Sequence, residues 1–181
     1  MKMMNGVFLS LTCLFSSPVL AATSVPADEI LELVRQDAKP AFGEMKEDIY
    51  LPDVKISSAL LELLGPSINE SPEAFGNYMM IYGCRVQSCT EKAAVIVDFE
   101  KKRIAAAGLI NFHCKKSTEK GENRLKSRVS CEKSPILNTY LFTGKNKTQD
   151  DNNSDLLLSK IHQWATTHSY EREVLKKISR K

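Results

Sequence analysis

Tyr78-Met79-Met80-Ile81-Tyr82-Gly83-Cys84-Arg85-Val86-Gln87-Ser88-Cys89 leads, three residues on, into Ala93-Ala94-Val95-Ile96-Val97-Asp98-Phe99. Both apolar runs are short, aromatic or β-branched, and bounded by polar residues, so they predict strands either side of a cysteine loop. Residues 100–103 are charged, and residues 104–112 form a third apolar run. Two such runs joined by a short charged stretch predict an antiparallel hairpin. Ala105, Ala106, Ala107 and Gly108 are small, which predicts that another element packs closely on this third strand.

Helical patterns flank the strands. Residues 26–37 carry an apolar stripe of Ile30, Leu31, Leu33 and Val34, with Thr23 or Ser24 as candidate caps. Pro40 predicts a second short helix through Phe42 and Met45, broken at Leu51-Pro52. Ser57 or Ser58 is placed to cap a third over residues 59–64, ended by Gly65-Pro66. Residues 115–128 read as a polar loop or ragged hairpin, and residues 136–142 as either a helix turn or a strand. After a polar stretch, Ser154 is expected to cap a helix striped by Leu157, Leu158, Ile161, Trp164 and Ala165. Tyr170, Val174, Leu175 and Ile178 continue that helical pattern or begin another.

The N-terminus reads as an export signal. Lys2 precedes a mostly apolar run over residues 7–20, and Val19-Leu20-Ala21-Ala22 supplies small residues where a peptidase cuts. The run is too short to span a bilayer, which takes about 20 apolar residues. The expected organisation is a signal peptide at 1–22 and one domain at 23–181, with a helical extension from about residue 154. Loss of Lys2 takes the formal charge from +3 to +2.

Loss of Cys13 leaves Cys84, Cys89, Cys114 and Cys131, an even count that in an exported chain reads as two disulfides. Three connectivities are possible. Cys84–Cys89 with Cys114–Cys131 closes the shortest loops and is preferred. A zinc site is the alternative, but C-x4-C followed by two distant single cysteines lacks the close double pair of structural zinc sites. No metal or other cofactor is expected.

Charge is uneven. Acids outnumber bases eight to four over residues 23–60, and bases outnumber acids ten to four over residues 100–133. Those bases are interleaved with Glu119, Glu122 and Glu132 and with no stacking aromatics, a pattern of a solvated face and not of nucleic-acid binding. No membrane association is expected once the signal is removed. G-x-S-x-G, H-E-x-x-H, G-x-G-x-x-G and P-loop motifs are absent. His162 and His168 are six apart, whereas chelation across one helix face wants four. Asp98 and Glu100 form a carboxylate pair that reads more simply as charges at a turn. Enzymatic activity is therefore not expected.

What remains is the loop Cys84-Arg85-Val86-Gln87-Ser88-Cys89. A disulfide closing so short a loop between strands makes a rigid projection that loses little entropy on binding, as a recognition wedge should. The same staple could simply secure the hairpin end.

Two segments resemble the Ivy family, bacterial periplasmic inhibitors of vertebrate C-type lysozyme. Lys39-Pro40-Ala41-Phe42-Gly43-Glu44-Met45 followed by Leu51-Pro52 is similar to the family's K-x-A-F-x-x-M, five residues, L-P. Residues 78–84, the C-x4-C loop, the run 93–97 and Gly108-Leu109 form the second. The resemblance covers about residues 30 to 112. It implies an α+β fold: a central antiparallel sheet with helices packed on one side, here with an extra C-terminal helix and two disulfides. It also implies a periplasmic or secreted protein whose loop enters a muramidase cleft, the partner being C-type lysozyme or a lytic transglycosylase, and it suggests a homodimer.

The family loop reads C-K-P-H-D-C. Arg85 stands at the Lys, Val86 at the Pro, Gln87 at the His and Ser88 at the Asp. Gln87 can donate hydrogen bonds to a carboxylate but carries no charge, a difference of about 1 kcal/mol, or roughly five-fold in affinity. The expected contact residues are Arg85, Val86, Gln87 and Ser88. The alternative is an Ivy-fold envelope protein that has lost lysozyme inhibition and binds another periplasmic partner.

Overall fold

The computed structural model describes residues 25–66, 68–69, 71–121, 124–143 and 147–179. The expected signal peptide and the candidate caps Thr23 and Ser24 lie outside them. In chain order the elements are α1 (Ala27–Phe42), β1 (Lys46–Glu47), β2 (Val54–Lys55), α2 (Ile56–Leu64), β3 (Glu73–Phe75), β4 (Tyr78–Arg85) and β5 (Ser88–Asp98). β6 (Arg103–Asn111), β7 (Cys114–Gly121), β8 (Arg124–Cys131), β9 (Ile136–Thr143), α3 (Lys147–Ala165) and β10 (Glu173–Ser179) follow.

Side chains alternate across a strand, and here both phases are apolar. Met79, Ile81, Ala93, Val95 and Val97 face one way and pack with Ile30, Val34, Phe42, Leu60 and Leu63 of α1 and α2. Met80, Ala94 and Ile96 face the other way, toward Leu157, Ile161, Trp164 and Ala165 of α3. A strand buried on both faces reads as a continuous apolar run, which is the pattern of residues 93–97. Each fully buried Leu or Ile contributes roughly 1.5–3 kcal/mol.

The fold is α+β. The main sheet has the order β10-β9-β6-β5-β4-β3. It is antiparallel from β3 to β9, and β10 joins β9 in parallel, so the sheet is mixed. Helices cover both faces, not one as expected: α1 and α2 lie on one side and the C-terminal α3 on the other. The small residues of β6 explain why. A Cβ on Gly108 would fall 2.7 Å from Cγ2 of Ile161 and 3.2 Å from Trp164, so α3 sits as close as a glycine permits.

Several local expectations are corrected. α1 runs through Pro40 without a break and ends at Gly43, whose φ of 57° suits glycine. Only three helical residues reach Pro40 or follow it, so one missing N–H bond is tolerated. Pro26 and Lys55 occupy the N-cap positions of α1 and α2, and Ser57 is buried inside α2. Ser154 lies within α3, not at its start. Residues 115–121 and 124–128 fall in the antiparallel pair β7–β8, and residues 136–142 in strand β9. Val174, Lys176 and Ile178 alternate with exposed neighbours along a strand, not a helix. The backbone bonds from Glu171 N to Pro135 O and Leu137 N to Arg172 O draw this segment alongside β9.

The disulfides are Cys84–Cys89 and Cys114–Cys131. Two disulfides fit an oxidising, extracytoplasmic compartment. Among the described residues no helix is long and apolar enough to cross a membrane.

Candidate functional site

The β4–β5 hairpin turns at Val86 and Gln87, with Arg85 opposite Ser88. The next β4 residue, Cys84, pairs with Lys92, so Cys89, Thr90 and Glu91 are extra residues on the β5 side. Such a bulge twists the hairpin end, and the Cys84–Cys89 bond closes it, with the two Cα atoms 4.9 Å apart. Gln87 has φ of 64°, a left-handed value that side chains other than Gly and Asn seldom adopt. Val86 is 59 % exposed, an apolar side chain at the very tip. Gln87, Cys89 and Thr90 are also exposed, and Ser88 is half-buried, its Oγ 3.3 Å from Thr90 Oγ1.

Arg85 does not project with them. Its side chain turns onto the α2 face and is held there from three directions. Nε pairs with Glu62 Oε1 at 2.8 Å, and a terminal nitrogen pairs with Glu91 Oε2 at 2.8 Å. The guanidinium lies 4.2 Å over the ring of Tyr50, whose hydroxyl donates to Glu62. Burial works against the Arg85 charge, yet the bonds to Glu91 and Glu62 outweigh it and raise its pKa. Burial, then the Glu62 bond, lifts the Tyr50 phenol well above its ordinary value. Of the four expected contact residues, Val86 and Gln87 are fully outward, Ser88 is partly covered, and Arg85 belongs to the support.

The other side of the hairpin base faces α3. There a groove of about 500 Å³ opens, bounded by Ile68, Met80, Tyr82, Lys92, Trp164 and His168. Its floor is the sheet, and its wall is the last turn of α3 and the turn after it. Segment 68–69 closes a third side: Ile68 bridges Gly83, and Tyr82 N donates to Asn69 Oδ1 at 2.8 Å. Lys92 Nζ lies 3.1 Å from His168 Nδ1. An ammonium has no acceptor, so Lys92 donates and the neutral ring carries its proton on Nε2. Nε2 then donates to Thr167 Oγ1 at 3.3 Å, and Thr167 donates to the Trp164 carbonyl at 2.8 Å. Burial lowers the pKa of Lys92. Burial and then the Lys92 charge lower that of His168.

The remaining histidine and carboxylate expectations resolve simply. His162 Nε2 is 2.8 Å from Glu173 Oε1 and plays a bridging part between α3 and β10. Asp98 is buried, accepting from Lys101 N and pairing with its ammonium, and Glu100 accepts from Asn77. Sequence reasoning missed Glu62, Tyr50, Glu91 and the whole groove. The available signal was phase: Glu91 and Lys92 occupy positions in step with the apolar residues of β5, one on each face, and a charge in an apolar phase needs a partner or a purpose.

No protein-family model matches the chain, and no curated protein sequence matches it. A solved structure, a tetramutant of the BH1408 protein from Bacillus halodurans, is similar at 14% identity over 50% of this chain and 51% of that one, with a TM-score of 0.26. The chain thus spans about half the length of that protein, and a likeness at this score carries no argument.

Proposed function

We propose that this chain is an exported protein-binding module, not an enzyme, which inserts the Cys84–Cys89 loop into a muramidase cleft in the manner of the Ivy inhibitors it resembles. The observation that carries the reading is the contrast within the loop. Val86 and Gln87 stand exposed at the tip, while the disulfide and the Arg85 clamp fix the base. An exposed apolar side chain on a rigid support is the arrangement that binds with little entropy cost. The left-handed backbone at Gln87 adds to it, since such conformations collect at recognition sites and persist only where the surroundings hold them. In a cleft lined by carboxylates, the Gln87 amide would donate hydrogen bonds.

Arg85 supports the second reading, a relative that has changed partner. With Arg85 engaged inside the molecule, no cation among the four loop residues is presented to an acidic cleft.

The test is lysis of peptidoglycan by hen-type lysozyme, with the oxidised protein added beside Val86→Asp, Gln87→His and the Cys84→Ala/Cys89→Ala pair. Inhibition by the parent, lost in the cysteine pair and in Val86→Asp and strengthened by Gln87→His, is expected. No inhibition at micromolar concentration moves the function to another envelope partner.

A further inference from the structure

We propose that the groove beneath the C-terminal turn of α3 binds a small carboxylate carried on an apolar ring, with Lys92 as its anchor. This site is separate from the loop tip, and nothing in it depends on a muramidase partner.

Lys92 is the starting point. It projects from β5 into the α3 face, in step with Ala94 and Ile96. Its side chain is half-buried, and among the described residues no carboxylate lies within ion-pair distance of it. Among the described residues its hydrogen-bond partner is His168 Nδ1, an uncharged acceptor. That bond uses one of three N–H groups, so two are left to donate into the groove. Burial disfavours the charge and depresses the pKa, an arrangement that an incoming anion would relieve.

The His168–Thr167–Trp164 chain fixes the direction of the ammonium. Each donor in it is committed onward to the next acceptor and finally to a main-chain carbonyl. His168 packs edge-on against Trp164 at 5.3 Å. Among the described residues the one carboxylate lining the groove is Glu73. Its Cα pairs with Met80, four residues along β4 from Cys84, the residue opposite Lys92, an offset of roughly 13 Å along the strand direction between the two backbones, and the two side chains form no ion pair.

The rest of the surface decides the ligand's body. Ile68 and Tyr82, with the edges of the nearly buried Met80 and Trp164, help to make the lining more apolar than polar. A volume of about 500 Å³ falls in the range of small-molecule sites, which pair apolar walls with a few fixed polar groups. A flat ring against Tyr82 and Trp164 with its carboxylate on Lys92 uses both kinds of group.

Trp164 is the only tryptophan of the chain, so its emission reports occupancy of the groove directly. The probes are benzoate and benzamide, alike in shape and differing in charge. Saturable change of Trp164 fluorescence with benzoate is expected, about ten-fold weaker with benzamide. Lys92→Gln should remove the preference for benzoate, and Lys92→Arg should keep it; both are checked for native far-ultraviolet dichroism and Lys92→Arg guards against misfolding. Three outcomes overturn the proposal: no saturable response to benzoate at about 10 mM, where a millimolar site is mostly filled; equal response to the two probes; or an unchanged preference in folded Lys92→Gln.

Discussion

The carbonyl oxygen of Cys84 occupies the place where a side chain on Gly65 would begin: a Cβ built there falls 2.2 Å from it. The end of α2 is thus seated against the base of the disulfide loop, and only glycine allows the fit. Gly65 also has φ of 65°, in the region other residues avoid. Gly65→Ala is expected to destabilise by about 1–3 kcal/mol from backbone conformation alone, with the clash added. A thermal melt checks the stability; under the proposed function, a lysis assay should also lose inhibition in step with displacement of the loop. An unchanged melting temperature would contradict this packing.

Arg85 holds Glu91, whose side chain is only 7 % exposed. Removing the cation leaves a buried carboxylate without its partner, an expensive state. Arg85 itself is 30 % exposed, so solvent screens part of the pair and the cost of Arg85→Ala should be about 1–3 kcal/mol, between surface and buried pairs. Arg85→Ala/Glu91→Gln should recover much of it, because the orphaned charge is gone. A chemical-denaturation double-mutant cycle reads the coupling; additive single effects would rule out the clamp.

His168 makes stability depend on pH. Folded, its ring is held below the ordinary value of 6.5, by burial first and by the Lys92 charge second. Around and below that pH the unfolded chain binds more protons than the folded one. The contribution of the neutral ring is fully present above pH 6.5 and is lost as pH falls through the lower folded value. Between about pH 7.5 and about pH 5 the melting temperature should fall more in the parent than in His168→Gln. Parallel curves for the two proteins would show that the ring is not held neutral.

The β7–β8 pair hydrogen-bonds to no other sheet among the described residues. An isolated two-stranded ribbon is marginal in water, and Cys114–Cys131 pins its first register pair. Opening this loop, with a sequence separation of 17, should cost the arm about 3 kcal/mol of local stability. Cys114→Ala/Cys131→Ala is expected to be cut by trypsin within residues 115–128 far faster than the parent, while the Trp164 fluorescence melt shifts much less. Equal cleavage rates would mean that the arm is supported by something other than the bond.

The sequence by itself determined the elements whose stabilising pattern is local. The stripe of Ile30, Leu31 and Val34, the unbroken apolar run of β5, the charged turn before β6 and the pairing of near cysteines were all readable, because period and loop length are properties of neighbouring residues. Smallness at Gly108 announced a close neighbour without naming it, and the tertiary structure supplied Ile161 and Trp164. Only the tertiary structure could place β10, whose Val174 and Ile178 fit either period and become a strand by docking beside β9. It also decided that α3 covers the second sheet face, that Arg85 turns inward to Glu62, 23 residues earlier, and that Lys92 meets His168, 76 residues later. Those contacts depend on which faces meet after the chain has folded. A charged side chain carries no mark of its distant partner, so its role becomes visible only once burial and distance are set by the packed layers.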